Sequence, residues 1–425
     1  MFGGIHASLF PDEARKHGGA HAVVTGDADH IWARVLSDCA AGALEPLYEG
    51  GRVAGTELVK PRWDLIDRNR YAWASVQTVR GCPKHCSFCS VWRTDGQEPR
   101  QLASDGVLEE IVELRRMGFR FMLLADDNFY PVTLQDLAQA RRRRDPTRLG
   151  ELEALRAERF ELMERLALLP SDLCFYTQIT MEAAEDPAFL QAMRKARIKG
   201  ALVGIESVTP DGLKDVHKGF NLHGEALVTR LRQFRANGVH VLGSFIFGLP
   251  SDRPETFVAT VEISQRAQID FAQFVTLQRL PGTVDFDKWE PETAGQVEVN
   301  GVPVSRYWLI PASSARNVVV VHPVMSPEEI RRRTQWVWDQ FYSLPTVWRR
   351  SRVMKGLCAR LGFLLMSKLY RQMYANTGLA PASRRPIVGH DGWRTLCGGC
   401  SRPSRCRTWR FQKPPETGHE TSGSS

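Results

Sequence analysis

Three cysteines, Cys82, Cys86 and Cys89, fall in the segment Arg80-Gly-Cys-Pro-Lys-His-Cys-Ser-Phe-Cys-Ser90. The C-x3-C-x2-C spacing puts three thiolates on one short loop and supplies no fourth. A closed structural zinc site takes four ligands. A four-iron cluster ordinarily takes four cysteines, one per iron. Three thiolates therefore suit a cluster that leaves one iron open to another ligand; a zinc knuckle or a chance grouping is the alternative. The chain holds nine cysteines, and an odd, clustered set is not a disulfide framework. Cys397, Cys400 and Cys406 form a second group, C-x2-C-x5-C. It could ligate another iron–sulfur cluster or, with His390, a zinc ion; free thiols in a basic tail are the alternative. Cys39, Cys174 and Cys358 are isolated, and Cys174 lies in an apolar run that reads as core.

Acidic and small residues recur where apolar runs stop. Asp126 and Asp127 follow the run 119–125, and Glu206-Ser207 end the run 200–207. Gly243-Ser-Phe-Ile-Phe-Gly-Leu-Pro250 and Leu280-Pro-Gly-Thr283 close two more. Strand-like runs at 74–79, 119–125, 173–180, 200–207, 239–247 and 271–278 alternate with helical spacing at 107–117, 134–169, 187–196, 225–237 and 254–267. The long helical stretch is broken near Asp145-Pro146. Six apolar strands alternating with helices argue for a parallel α/β sheet or barrel. Beyond Thr283, Asn300-Gly301 signals a hairpin within 296–305. Ser326-Pro-Glu-Glu329 signals a helix start, with helices expected to about Tyr374. Trp336, Trp338, Phe341 and Trp348 read as an amphipathic core face. The tail after Lys413 reads as disordered.

The chain has 425 residues, 43% of them hydrophobic, and a formal charge of +8. That length suits two to three domains. The arginine runs at 141–144, 331–333 and 402–410 read as solvated helix faces rather than a nucleic-acid surface. The start lacks a signal peptide's charged region and apolar run. No apolar stretch is long enough to span a bilayer; 361–366 is short and flanked by Arg360 and Lys368. Exposed thiolates favour a reducing cytoplasm.

The cysteine spacing, the aromatic Phe88 before the third cysteine and the order of strand-end motifs resemble the radical S-adenosylmethionine (SAM) enzymes. The resemblance implies a partial (β/α)6 barrel with its chemistry at the C-terminal strand ends. It implies a 4Fe-4S cluster on Cys82, Cys86 and Cys89. The open iron would chelate the amino and carboxylate groups of SAM, and an electron would cleave SAM to methionine and a 5′-deoxyadenosyl radical. Asp126 or Asp127 would receive the SAM ammonium, with helix capping as the alternative. Glu206 and Ser207 would reach the ribose hydroxyls or the SAM carboxylate, with a surface salt bridge as the alternative. Phe247 and Gly248 would lie along the adenine. No histidine, His6, His217 and His223 included, is singled out as a general base.

Phe2-Gly3-Gly4-Ile-His6, Gly26-Asp-Ala-Asp29 and the linker Pro61-Arg-Trp-Asp-Leu-Ile66 resemble the end of the Rossmann-like domain of B12-dependent members, with Gly3 and Gly4 as close-approach glycines. The expected layout is a cobalamin-domain remnant at 1–55, a linker at 56–70 and a radical SAM core at 71–284. A hairpin plus helical region at 285–380 and a Cys/Arg-rich tail at 381–425 follow. The second motif departs from the family's Gly-Glu-x-Glu. The first strands and the Asp-x-His-x-x-Gly loop are missing, so a truncated cobalamin domain that binds cobalamin weakly or not at all is expected. The B12-dependent class implies methyl transfer to unactivated carbon or phosphorus of a small-molecule or lipid substrate. It further implies an external electron donor such as flavodoxin or ferredoxin. A radical oxidative cyclase, an inactive fragment and an RNA methylthiotransferase are the alternatives; only Cys39 precedes Cys82, against the three upstream cysteines of the last.

Overall fold

Six short strands between Ala74 and Thr276 carry the architecture of the computed structural model: β1 (Ala74–Val76), β2 (Phe121–Leu124), β3 (Cys174–Ile179), β4 (Ile198–Glu206), β5 (His240–Phe247) and β6 (Phe271–Thr276). The structure describes residues 1–293, 298–310 and 322–376, all within one compact unit, Met1–Ser383. The strands pair in parallel and in chain order, β1 to β6, in one open sheet. Parallel strands covered on both faces must be apolar on both. Phe121-Met-Leu-Leu124 and the mostly buried β4 meet that demand. Helices Ser104–Arg116, Pro146–Leu168, Pro187–Lys195, Gly224–Ala236 and Pro254–Arg266 connect them. Their starts follow local chemistry: Asp145 accepts from the Arg148 N–H and Asp186 from the Phe189 N–H, each with proline in the first turn. Phe175, Phe189, Phe234, Phe245 and Phe257 are fully buried between sheet and helices.

Strand ends differ from the sequence reading in ways that shape the site. The run 74–79 is not one strand. β1 stops at Val76, and Val79–Arg80 pairs antiparallel with Arg100–Gln101. The chain leaves the sheet at Thr78, where Asp126 accepts from the Thr78 and Val79 N–H groups at 2.6 and 2.9 Å. β4 starts at Ile198, and its pairing with β5 is bulged between Gly204 and Glu206, with Glu206 at φ 65°.

Residues 1–53 alternate strand and helix in the same sense. Phe2 bridges Val23, and Val23–Thr25 pairs in parallel with Leu47–Glu49. Helices Ile5–Leu9, Pro11–Gly18 and Trp32–Ala41 join them around Ala22, Val24, Val35 and Tyr48. The turn is tight enough that a Cβ on Gly50 would lie 1.7 Å from the Asp27 carbonyl oxygen. Asp27 joins this unit to the strand pair that leads into the cysteine loop, meeting Arg80 at 2.6 Å and accepting from the Val53 N–H at 2.9 Å.

After β6, Glu298–Val299 and Val302–Pro303 form the expected hairpin, with Asn300 and Gly301 both at positive φ. Ser326 caps helix Pro327–Phe341 by accepting from the Glu329 N–H. Trp338 is fully buried and donates to the Phe274 carbonyl at 2.8 Å, so it is core, whereas Trp336 and Trp348 are 40% exposed. Helices Leu344–Arg350 and Leu357–Asn376 complete a mainly helical C-terminal region. His390, Cys397, Cys400, Cys406 and the tail lie outside the described residues. Among the described residues, no helix is long and apolar enough to cross a membrane.

Candidate functional site

Cys82, Cys86 and Cys89 line one cavity of about 370 Å³. Its other walls come from the C-terminal ends of β3 to β6, through Gln178, Glu206, Ser244, Ile246 and Thr276 among others. Backbone and side-chain bonds hold the cysteine loop in place. The Cys82 N–H donates to the Gly96 carbonyl at 3.0 Å and the Ser87 N–H to the Val216 carbonyl at 3.2 Å. Trp92 donates to the Cys86 carbonyl at 3.1 Å, and Ser87 Oγ to Asp285 at 3.1 Å. Gly81 takes φ 94°, a conformation that disfavours a side chain. Phe88 packs against Val216, Ile246, Leu249 and Leu277 and reaches the cavity.

Among the described residues, no three His, Cys, Asp or Glu side chains converge tightly enough to hold a single metal ion. A 4Fe-4S cube puts each thiolate on a different iron and so needs a wider set. Three soft donors on one cavity wall fit that group. Burial pushes the Cys82 thiol up to about 11 and Cys86 to about 12, and raises Cys89, while the nearby Lys218 ammonium pulls all three back. These thiols therefore lose their protons only against a cationic partner, and loading a cluster must release protons.

Lys218 was not singled out from the sequence. Its Nζ donates to Glu206 Oε1 at 2.8 Å and to the Gly204 carbonyl at 3.0 Å, and both side chains are buried. Burial opposes the ammonium, but Glu206 and the Cys86 and Cys82 sulfurs outweigh it and hold Lys218 above its ordinary range. An ammonium has three donors; two are accounted for here, and Lys218 lines the cavity. A single loop lysine in His217-Lys218-Gly219 carries no sequence signal. It gains meaning from the β4 bulge that turns Glu206 toward it.

The structure separates the paired aspartates. Asp127 lines the cavity, and its Oδ2 accepts from the Gly81 N–H at 2.7 Å. Burial pushes it up to about 6, against that bond. Asp126 is fully buried in the wall. Oδ1 accepts from the Thr78 and Val79 N–H groups and Oδ2 from Thr78 Oγ at 2.8 Å. Arg159, also buried, donates to Thr78 Oγ at 2.7 Å and lends its charge. Asp126 thus clamps the entry to the cysteine loop and does not line the cavity.

Other expected contacts lie off the cavity. Ser207 Oγ engages Thr209 at the start of helix Pro210–Asp215. Phe247 stacks on Phe257 with centroids 4.3 Å apart, and a Cβ on Gly248 would meet Ile330 at 3.7 Å. Along β5 it is Ser244 and Ile246 that face the cavity. A Cβ on Gly3 would lie 3.5 Å from the Val24 carbonyl, and Gly4 precedes helix Ile5–Leu9 at φ 86°; neither lines the cavity.

The turn leaving β5 is tied by Asp252, whose Oδ2 accepts from the Gly248 and Leu249 N–H groups at 2.8 and 3.0 Å. It is fully buried, and burial pushes it up to about 7, opposed by those bonds and reinforced by Asp215. The folded state therefore holds this proton more tightly than the unfolded chain, whose carboxyl titrates near 4. The contribution is full below about pH 4 and falls as pH rises toward 7, on the order of 1 kcal/mol per unit. Urea midpoints measured across that window should fall less steeply in Asp252→Asn than in the native protein. Parallel slopes would exclude Asp252 as the cause.

Residues 76–263 match the radical SAM superfamily, a stretch that holds the cysteine loop and the strands β2 to β5. The hopanoid C-2 methylase of Rhodopseudomonas palustris (strain TIE-1) is 26% identical over 68% of this chain and 52% of its own length. The bacteriochlorophyllide d C-12(1)-methyltransferase of Chlorobaculum tepidum is 26% identical over 68% of this chain and 59% of its own length. The chain thus spans between half and two thirds of these relatives. The solved structure of the radical SAM methyltransferase TsrM from Kitasatospora setae, with cobalamin and a 4Fe-4S cluster bound, is 18% identical. It covers 78% of this chain and 66% of its own, with a TM-score of 0.54, which is a likeness of fold.

Proposed function

We propose that the chain is a radical SAM enzyme that transfers a methyl group to an unactivated carbon of a small-molecule or lipid substrate, with cobalamin as the methyl carrier. The observation that carries the reading is the convergence of Cys82, Cys86 and Cys89 with Lys218, Glu206 and Asp127 on one cavity at the C-terminal strand ends. Cys82, Cys86 and Cys89 hold a 4Fe-4S cluster, which when present supplies the electron that cleaves SAM to the 5′-deoxyadenosyl radical.

The side chains position SAM. Lys218 offers its third N–H to the SAM carboxylate, and Asp127 accepts from the SAM amino group. Glu206 holds Lys218 and faces the ribose. Ile246, Leu277 and Phe88 keep water from the reacting atoms. The strand–helix unit at residues 1–53 is the place where cobalamin would meet the chain. Methyl transfer, rather than cyclisation or RNA methylthiolation, is supported by the names of the relatives, a hopanoid methylase and a bacteriochlorophyllide methyltransferase. A flavodoxin or ferredoxin in the cytoplasm would be the electron source.

Anaerobic reconstitution with iron, sulfide, SAM and dithionite, with and without hydroxocobalamin, tests the methyl-transfer reading by mass spectrometry. We expect 5′-deoxyadenosine in both samples and S-adenosylhomocysteine only with cobalamin. 5′-Deoxyadenosine without S-adenosylhomocysteine in both would favour a cyclase-type reaction.

A further inference from the structure

Helix Leu357–Asn376 shows solvent an apolar face. Leu357, Leu361 and Leu365 recur one turn apart and are 62%, 50% and 54% exposed, and Met366 and Met373 extend the same arc. The opposite side is seated on the barrel. Phe363 meets Phe271 at 5.2 Å and Tyr374 meets Trp338 at 5.4 Å, while Ser367 and Arg371 are buried. Among the described residues the helix is therefore docked on one side and uncovered on the other, and an apolar patch of this kind marks a contact surface.

The charge around it narrows the occupant. Residues 340–376 contain seven Lys or Arg and no Asp or Glu, Arg350 and Arg371 among them buried. Arg349, Arg352 and Lys355 are exposed immediately before the helix, and Arg360 lies over the ring of the half-exposed Trp348 at 4.0 Å. A second copy of this chain would bring the same cations against themselves. Residues 377–425 carry eight Lys or Arg against three Asp or Glu, so they too would meet like charge. An anionic lipid surface answers both halves of the pattern, acyl chains for the leucine and methionine arc and headgroups for the cations.

We infer that helix Leu357–Asn376 docks the protein in the plane of an anionic lipid bilayer, leucines and methionines down, with Arg349, Arg352 and Lys355 on the headgroups. The helix leans on Phe271, the first residue of β6, whereas the cavity opens at the other ends of the strands. The contact is therefore a tether and not the mouth of the active site.

Co-sedimentation of the full chain with vesicles of phosphatidylcholine alone, or with about a third phosphatidylglycerol, is the test. The native protein should bind the anionic vesicles at least tenfold more tightly than the neutral ones, and high salt should weaken that binding. Leu361→Glu/Leu365→Glu, a change of two exposed residues, should lose vesicle binding while keeping the native melting temperature. Failure to bind anionic vesicles, or equal binding by the folded double variant, would overturn the inference. A native dimer that the double variant converts to monomer, without vesicle binding, would overturn it in favour of self-association.

Discussion

Replacing Cys82, Cys86 or Cys89 by Ala should each remove the 4Fe-4S cluster from the reconstituted protein and abolish 5′-deoxyadenosine formation. The three thiols share one cavity, and a three-thiolate cluster has no spare ligand, so one loss leaves two irons open rather than one. Cys174 is the control. It is the first residue of β3, at the strand end away from the cavity, and Cys174→Ala should retain iron, sulfide and turnover. Iron and sulfide analysis with mass spectrometry of the nucleoside is the check. Any one of the three variants with a full cluster and native turnover would remove its cysteine from the assignment.

Lys218→Met should weaken SAM binding by roughly tenfold to a hundredfold, the loss expected for one charge-assisted hydrogen bond of about 1.5–3 kcal/mol. It should also destabilise the protein, because Glu206 would keep a buried charge without its partner, at a cost of about 3–5 kcal/mol. The two effects can be separated. In Lys218→Met/Glu206→Gln the stranded charge is gone, so stability should largely return while SAM affinity stays low. Calorimetry and urea unfolding on the three proteins read both quantities. Full recovery of SAM affinity in the double variant would make Lys218 a structural partner of Glu206 and nothing more.

Much of the fold was legible because apolar strands and helical spacing alternate without long gaps, and because Asp145-Pro146, Asn300-Gly301 and Ser326-Pro327 punctuate them. The cysteine loop was legible from spacing alone. What stayed hidden is which side each strand-end residue faces. A parallel sheet buried on both faces has no polar alternation to tell inside from outside. Asp126 and Asp127 therefore read alike, although one clamps Thr78 and the other reaches the cavity. The same loss of parity put Phe247 forward where Ser244 and Ile246 face the cavity, and Gly248 lies in the turn past the end of β5. Lys218 was hidden for another reason: its partners Gly204 and Glu206 lie 14 and 12 residues away, across a bulge that no local pattern announces.

The most direct test of the central claim is electron paramagnetic resonance of the anaerobically reconstituted, dithionite-reduced protein before and after adding SAM. The reduced protein should give the signal of one 4Fe-4S cluster on Cys82, Cys86 and Cys89, with g-values that shift when SAM is added, because the iron those cysteines leave open would take SAM as its ligand. A cluster signal that SAM leaves unchanged, or no cluster in a protein that is otherwise folded, would contradict it.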